Sequence, residues 1–195
     1  MQTTVLAGVR VLDLSTGPVG GFATAVLADF GADVVKVEPP GGDRFRALAT
    51  SPLWLRGKRS AALDLSTDDG RERVHSLVET ADVLVVSGSP GQSSRWGLDA
   101  EGAFRLNPAL VHCSITPWGG HGPYAEFPGY EGLIAAKSGR MLAFAAQLQR
   151  EGPVYAAVPV ACHGASQGAV HGVLAALLAR ERSGRGQRVE TSLLQ

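Results

Sequence analysis

The sequence predicts an α/β protein built around a mainly parallel sheet with helices on both faces. Short apolar runs alternate with segments of helical periodicity, which is the pattern of right-handed βαβ units. Glycine and proline separate these segments: Gly31 stands where a helix would end, and Pro39 and Pro40 stop an apolar run. At 195 residues, the chain is long enough for one domain with a sizeable core.

The predicted elements follow one another in a regular order. Five strands are predicted at Val9–Leu14, Val34–Glu38, Ala61–Leu65, Val83–Val86 and Ala109–Ile115, with a further strand-like run at Val158–Ala161. Helices are predicted at Phe22–Phe30, from the N-cap Thr67 to Thr80, at Glu131–Gly139 and from His163 to Arg182. Small residues in the last helix, including Gly164, Gly168 and Gly172, would allow close packing against a neighbouring element. Arg188–Leu194 has the pattern of a strand entering a helix that Gln195 leaves unfinished, so we expect a piece of a longer domain.

Charge and composition exclude several classes of partner. Lys and Arg number 18, as do Asp and Glu, so no net charge favours binding to nucleic acid or membrane. Two cysteines, Cys113 and Cys162, form no disulfide framework and suit a reducing cytoplasm. The N-terminus lacks a signal-peptide pattern, and the apolar run Val173–Ala179 is far shorter than the roughly 20 residues that span a bilayer. We therefore predict a cytoplasmic protein without nucleic-acid or membrane partners and without a metal site.

The segment Ser15–Gly21, between the first strand and the first helix, contains three glycines. Glycines let backbone amides approach a ligand, and a helix N-terminus attracts phosphate. The spacing does not match the Gly-x-Gly-x-x-Gly pattern of dinucleotide-binding proteins. Two interpretations stay open, a phosphate-binding turn and a tight turn without a ligand.

Five further motifs point to one family. They are Gly31–Asp43, Leu55–Leu65, Asn107–Ile115, Gly122–Tyr124 and Gly184–Glu190. In this order and spacing the chain resembles the family III CoA-transferases, a family that also contains carnitine-CoA transferase-like proteins, formyl-CoA transferases and α-methylacyl-CoA racemases. The resemblance runs from Val9 to Leu194. It implies that residues 1–195 are an N-terminal, Rossmann-like CoA-binding domain, incomplete because family members are about twice this length and contain a second domain.

The resemblance also implies an activity and partners. Family members transfer CoA between an acyl-CoA and a carboxylic acid, with CoA or acyl-CoA as a substrate and without a permanently bound cofactor. Their subunits interlock as dimers, so the implied protein partner is a second copy or the missing C-terminal half. A truncated interlocked fold would expose apolar surface, and we expect it to associate.

The implied CoA site lies mainly at the carboxyl ends of predicted parallel strands, where open α/β sheets bind ligands. Its residues are Thr16, Gly17 and Pro18; Leu63 and Leu65; Ser87 and Gly88; Arg95; and Thr116, Pro117 and Trp118. Arg95 would bind phosphate, and Trp118 would cover the adenine or the pantetheine arm. Structural alternatives stay open for both, a solvated charge at a helix end and a loop anchor. The cations Arg56, Lys58 and Arg59 fit either a phosphate patch or, with better support, a solvated basic turn.

The family's catalytic aspartate has no counterpart in this chain. Counting back from Leu174–Leu178 places that position at Cys162, whose thiol cannot form the acyl anhydride that a carboxylate forms. The racemases use a His–Asp pair, with the His in a Gly-His-Asp motif that is Gly129-Tyr130-Glu131 here. No catalytic residue is therefore assigned, the isolated chain is expected to be inactive, and Cys162 is interpreted as a small buried thiol.

Other hypotheses stay open from the sequence. The chain could be a non-catalytic module that binds CoA or only a partner subunit. It could be one half of a duplicated protein whose other half retains the aspartate. A racemase-like protein or an NAD-binding domain is a further alternative, with Glu38 at the end of the second strand as the acid that binds ribose.

Overall fold

A six-stranded, fully parallel sheet forms the centre of the protein, in the order β3-β2-β1-β4-β5-β6. The structure is a computed structural model, and it describes residues 4–194. The strands are β1 Arg10–Leu14, β2 Asp33–Glu38, β3 Lys58–Ala62, β4 Val83–Ser87, β5 Val111–Thr116 and β6 Arg188–Ser192. The predicted α/β class with a parallel sheet is confirmed.

Helices cover both faces of this sheet. They are α1 Pro18–Asp29, α2 Pro52–Leu55, α3 Asp68–Glu79, α4 Pro90–Arg95, α5 Ala100–Leu106, α6 Glu131–Lys137, α7 Arg140–Gln147 and α8 Val160–Ser183, with a 3₁₀ turn at Arg44–Ala47. The predicted cap of α3 is present, because the Thr67 hydroxyl accepts a hydrogen bond from the Gly70 amide at 3.1 Å. In residues 4–194 we find no helix with both the length and the apolar character needed to cross a membrane.

The first helix begins at Pro18, four residues before the predicted Phe22, so the turn before it is shorter than predicted. Three other predicted boundaries are wrong for identifiable reasons. Strand β3 begins at Lys58 and ends at Ala62, because its partner β2 ends at Glu38, directly before the two prolines. The helix predicted at Glu131–Gly139 is two helices, since Gly139 adopts a left-handed conformation with φ of 76° and begins the second one.

The third wrong boundary lies at the start of the longest helix. Val158–Ala161 is not a strand, because α8 already begins at Val160, directly after Pro159. A proline before the first helical residue fits this start, since its missing amide removes no hydrogen bond from the helix. Cys162 consequently lies in the first turn of α8.

The apolar core is divided by the sheet into two parts. Helices α1 and α8 pack on one face around Val85, Cys113 and Val173. Helices α3 and α5 pack on the other face around Val74 and Leu84. All five of these side chains are almost completely excluded from solvent. The two layers hold the carboxyl ends of the strands together at one edge of the sheet.

Two glycines in α8 provide a matched stability test. A Cβ atom added at Gly172 would overlap the Val189 side chain on β6, whereas one added at Gly164 would meet no atom within 4 Å. We expect Gly172→Ala to lower the free energy of unfolding by about 1–3 kcal/mol through overpacking. Gly164→Ala should raise it by about 0.5–1 kcal/mol through helix propensity. Urea unfolding of both variants checks this, and equal effects of the same sign would contradict the packing described for α8.

Candidate functional site

A cavity of about 980 Å³ lies at the carboxyl ends of β1, β2 and β4, between the loops that follow them. This volume is at the upper end of the range for small-molecule sites. Its walls include residues after β1 and β3, the loop after β2, the start of α8 and the loop after β5. The cavity therefore occupies the edge of the sheet at which parallel α/β folds bind ligands.

Seven of the eleven residues implied as a CoA site line this cavity. They are Thr16, Pro18, Leu63, Leu65, Ser87, Gly88 and Pro117. The other four, Gly17, Arg95, Thr116 and Trp118, are not among its lining residues. Near Arg95 in the chain, Gln92 of α4 and Trp96, directly after α4, line the cavity instead.

Thr116 and Trp118 have internal partners. The Thr116 hydroxyl is buried and accepts a hydrogen bond from the Gly119 amide at 3.0 Å. The Trp118 indole N–H donates to the Pro128 carbonyl at 3.4 Å, and the ring packs on Tyr124 with centroids 5.6 Å apart. These contacts favour the loop-anchor interpretation of Trp118.

The turn between β1 and α1 has its own amides hydrogen-bonded to side chains. The amide of Ser15 donates to Asp13 Oδ1 at 3.0 Å, and that of Thr16 donates to Ser87 Oγ at 2.9 Å. The Gly17 amide donates to Asp43 Oδ2 at 2.8 Å. The three amides are therefore occupied, so this geometry favours a tight turn over a cradle of amides for phosphate.

Lys58 differs from the solvated basic turn predicted for this segment. Its side chain is 2% exposed and its Nζ donates to Asp13 Oδ2, Gly21 O and Thr24 Oγ1. Burial lowers the pKa of Lys58, and the Asp13 carboxylate opposes this shift. Arg56 and Arg59, by contrast, are exposed and paired with aspartates on α1 and β2. No phosphate patch is formed by these three cations.

Glu38 is committed to contacts within the protein. Its carboxylate pairs with the Arg46 guanidinium, accepts from Ser60 Oγ at 2.7 Å and accepts from the Asp43 amide at 3.0 Å. The Glu38 side chain is 3% exposed. A carboxylate that binds a ribose needs free acceptor oxygens facing the ligand, so the geometry disfavours the role considered for Glu38 in NAD binding.

Cys162 and Glu131 meet at one wall of the cavity. The two Glu131 oxygens accept from the amides of Ala161 at 3.0 Å and Cys162 at 2.9 Å, and Arg140 pairs with the same carboxylate. Burial raises the pKa of the Cys162 thiol to about 12, and the nearby Glu131 carboxylate adds to this shift. The neighbouring His163 packs against Phe22 instead, with the two ring centroids 4.6 Å apart. The thiol is therefore not activated as a nucleophile.

From the sequence, Glu131 is the start of a predicted helix and part of a mismatched motif, and only its position supports a role as a substitute acid. Its position at the amino end of α8 could not be foreseen, because residue 131 lies 30 positions from Ala161. The carboxylate occupies two amides at the start of a long helix, where negative charge is stabilised. Arg140, which the sequence did not single out, fixes the same carboxylate from the other side.

This combination defines a class of protein, an α/β domain with a cavity at the carboxyl edge of a parallel sheet, the edge where such folds bind ligands. Residues 6–195 match the model of CoA-transferase family III. The chain belongs to this family.

Individual relatives agree with the family match. The chain is 39% identical to succinate–glutarate CoA-transferase of Agrobacterium fabrum, with 97% of this chain and 51% of the relative covered. It is 37% identical to formyl-CoA:oxalate CoA-transferase of Streptomyces avermitilis, with coverage of 98% and 48%. The crystal structure of a CAIB/BAIF family protein from Brucella suis superposes with a TM-score of 0.89 at 34% identity, with coverage of 99% and 54%. The chain thus spans about half the length of the curated relatives it matches.

Proposed function

We propose that this chain is the CoA-binding portion of a family III CoA-transferase. Its substrates would be a CoA thioester and a carboxylic acid, between which the whole protein transfers CoA. The observation that supports this most strongly is the 980 Å³ cavity at the carboxyl edge of the sheet. Apolar residues such as Leu63, Leu65 and Pro117 suit the pantetheine arm, and polar groups such as Ser87 suit its amides.

We further propose that the isolated chain does not accept an acyl group. A thiol whose pKa is raised to about 12 is almost entirely protonated at neutral pH. The carboxylate closest to it, that of Glu131, has both oxygens hydrogen-bonded and is paired with Arg140. Engaged lone pairs are poor nucleophiles, so Glu131 serves as a cap of α8 in place of an acyl acceptor.

Exposed apolar residues near the cavity support a protein partner. Tyr130 and Tyr155 line the cavity and are 62% and 66% exposed. On α7 and in the segments beside α7 and α8, Leu142, Leu148 and Val158 are between 58% and 65% exposed. Exposed apolar side chains of this size are usual at an interface. The occupant we propose is a second copy of the chain or the other half of the whole protein. Light scattering of the purified chain should show association, and a monodisperse monomer would contradict the proposal.

The two free cysteines agree with a cytoplasmic location.

Calorimetric titration tests the ligand directly. We expect coenzyme A to bind and NAD to give no binding heat, because the β1–α1 turn and Glu38 are occupied by internal contacts. Replacing Leu65, which lines the cavity, by Glu should weaken CoA binding by at least about tenfold, because it puts a charge into the apolar wall proposed for the pantetheine arm. The matched control is Leu178→Glu on α8, since Leu178 is 58% exposed and does not line the cavity. Binding of NAD alone, or equal loss of CoA binding in both variants, would contradict the proposal.

A further inference from the structure

The turn that forms one wall of the cavity is held by a carboxylate of the protein itself. We propose that Asp43 is a positioning residue for this turn, and that it sets the shape in which Thr16 and Pro18 meet the ligand. The inference rests on the proposed function, because it assigns a role within the proposed CoA cavity. In the sequence, Asp43 is the last residue of the family motif Gly31–Asp43.

Asp43 is connected to the turn by one direct hydrogen bond and, indirectly, through Phe45. Its Oδ2 atom accepts a hydrogen bond from the Gly17 amide at 2.8 Å. Its Oδ1 atom accepts from the Phe45 amide at 2.9 Å and so caps the 3₁₀ turn. The Phe45 ring then lies against Gly17, where an added Cβ atom would be 2.7 Å from the ring. Asp43 therefore fixes the turn directly and also through the aromatic ring beside it.

Asp43 is itself held from two directions. Its amide donates to Glu38 Oε1 at 3.0 Å, and Glu38 is clamped by Arg46 and by Ser60 of β3. Its carboxylate lies 3.6 Å from Lys36 Nζ, on a side chain that is 2% exposed. Such a buried carboxylate requires a nearby cation and hydrogen bonds, and this one has both.

The consequence concerns how the cavity recognises its ligand. In many α/β proteins the amides of the first turn bind a ligand phosphate. In this protein the Asp43 carboxylate takes the Gly17 amide, and its negative charge disfavours a second anion there. The turn therefore contributes shape and the exposed Thr16 side chain, while the ligand phosphates must be bound by other parts of the protein.

The test uses Asp43→Asn in the full chain with coenzyme A as the probe. The amide group of Asn has one acceptor oxygen where the carboxylate has two, so one of the hydrogen bonds to Gly17 and Phe45 is lost. We expect hydrogen exchange at the Gly17 amide to accelerate at least about tenfold and the Kd for CoA to rise by at least about tenfold. The control is Asp29→Asn, which removes an exposed carboxylate paired with Arg56 and should change neither quantity.

A second variant separates positioning from a general structural effect. Glu38→Gln weakens the hydrogen bond from the Asp43 amide without changing a contact of Gly17. It should therefore raise the exchange rate of the Gly17 amide and the Kd for CoA, each by less than Asp43→Asn does. If Glu38 acts through Asp43, the double variant should bind CoA no more weakly than Asp43→Asn alone. The inference would be overturned if the losses of CoA-binding free energy in the two single variants added up in the double variant. It would also be overturned if Asp43→Asn accelerated Gly17 exchange and left the Kd for CoA unchanged. If the wild type does not bind CoA, the proposed function fails, and unchanged Gly17 exchange in Asp43→Asn would then overturn the role of Asp43 in shaping the turn.

Discussion

Replacing Asp13 by Asn should lower the free energy of unfolding by about 3–5 kcal/mol, the largest stability effect we expect from a single conservative substitution in this protein. Asp13 is completely buried at the end of β1. Its Oδ2 atom lies 2.9 Å from Lys58 Nζ, and its Oδ1 atom lies 3.8 Å from Lys36 Nζ. The substitution would leave the buried ammonium groups of Lys36 and Lys58 without the carboxylate that neutralises their charge.

The charge state of Asp13 decides the pH dependence. Burial alone would raise its pKa, but Lys36, Lys58 and hydrogen bonds from Ser15 and Thr24 outweigh burial and hold the pKa well below its ordinary value. A depressed carboxyl pKa stabilises the fold above the unfolded value of about 3.9, and this contribution disappears as the pH falls through the lower folded value. The contribution of Asp13 should therefore persist at about pH 5.

Urea unfolding of wild type and Asp13→Asn checks both statements at neutral pH and at about pH 5. A suitable control is Asp69→Asn, because Asp69 is exposed at the start of α3 and its pair with Arg73 should contribute at most about 0.5 kcal/mol. A loss below about 1 kcal/mol for Asp13→Asn would show that the buried ion cluster does not stabilise the fold as described.

Replacing Cys162 by Asp should give the chain an acyl-accepting group that the wild type lacks. Burial and the nearby Glu131 carboxylate raise the pKa of the Cys162 thiol to about 12, so the thiol stays protonated at neutral pH. The new carboxylate would attack the carbonyl carbon of a bound acyl-CoA, the carbon–sulfur bond would break as the CoA thiolate leaves, and the acyl group would remain on position 162 as an anhydride. Arg140, close to Glu131 at the same wall, would help to compensate the added negative charge.

The measurement is release of free CoA thiol from acetyl-CoA or succinyl-CoA, with trapping of the anhydride by hydroxylamine and peptide mass analysis. We expect Cys162→Asp to release CoA at least about tenfold faster than the wild type and to carry the trapped group at position 162. Cys162→Ser keeps the size of the side chain without a carboxylate and should match the wild type. An acyl thioester on Cys162 in the wild type would contradict the assignment of this residue as unreactive.

The sequence predicts the order of the six strands and the long helices α1, α3 and α8, because the relevant signals are local, but it does not predict the short helices α2, α4 and α5. Val83–Val86 lies within β4, and Thr67 caps α3 as its side-chain chemistry requires. The position of the site at the edge of the sheet also follows from topology, since the carboxyl ends of all strands in a parallel sheet lie at one edge. Residues at the end of a strand, such as Ser87, or directly after one, such as Pro117, therefore line the cavity.

The electrostatic organisation of the site could not be predicted in the same way. Lys58 and Asp13 are 45 residues apart, and only the pairing of β3 beyond β2 brings the lysine into the interior beside α1. The contacts of Glu131 with α8 likewise depend on packing between distant segments. Charged side chains are expected at the surface from their residue type alone. In this protein they are largely buried next to groups of opposite charge, which only the folded structure brings together.

The most direct test of the proposed ligand site is a backbone NMR map of the wild-type chain titrated with coenzyme A. Perturbed amides are expected around the edge cavity, at Leu65, Ser87, Gly88 and Cys162, all of which line it. The amides of Arg10, Arg59 and Thr80, which surround a smaller groove elsewhere, should stay unchanged. A map centred on that groove, or saturating CoA without any shift at the cavity, would contradict the assignment of this cavity as the coenzyme A site.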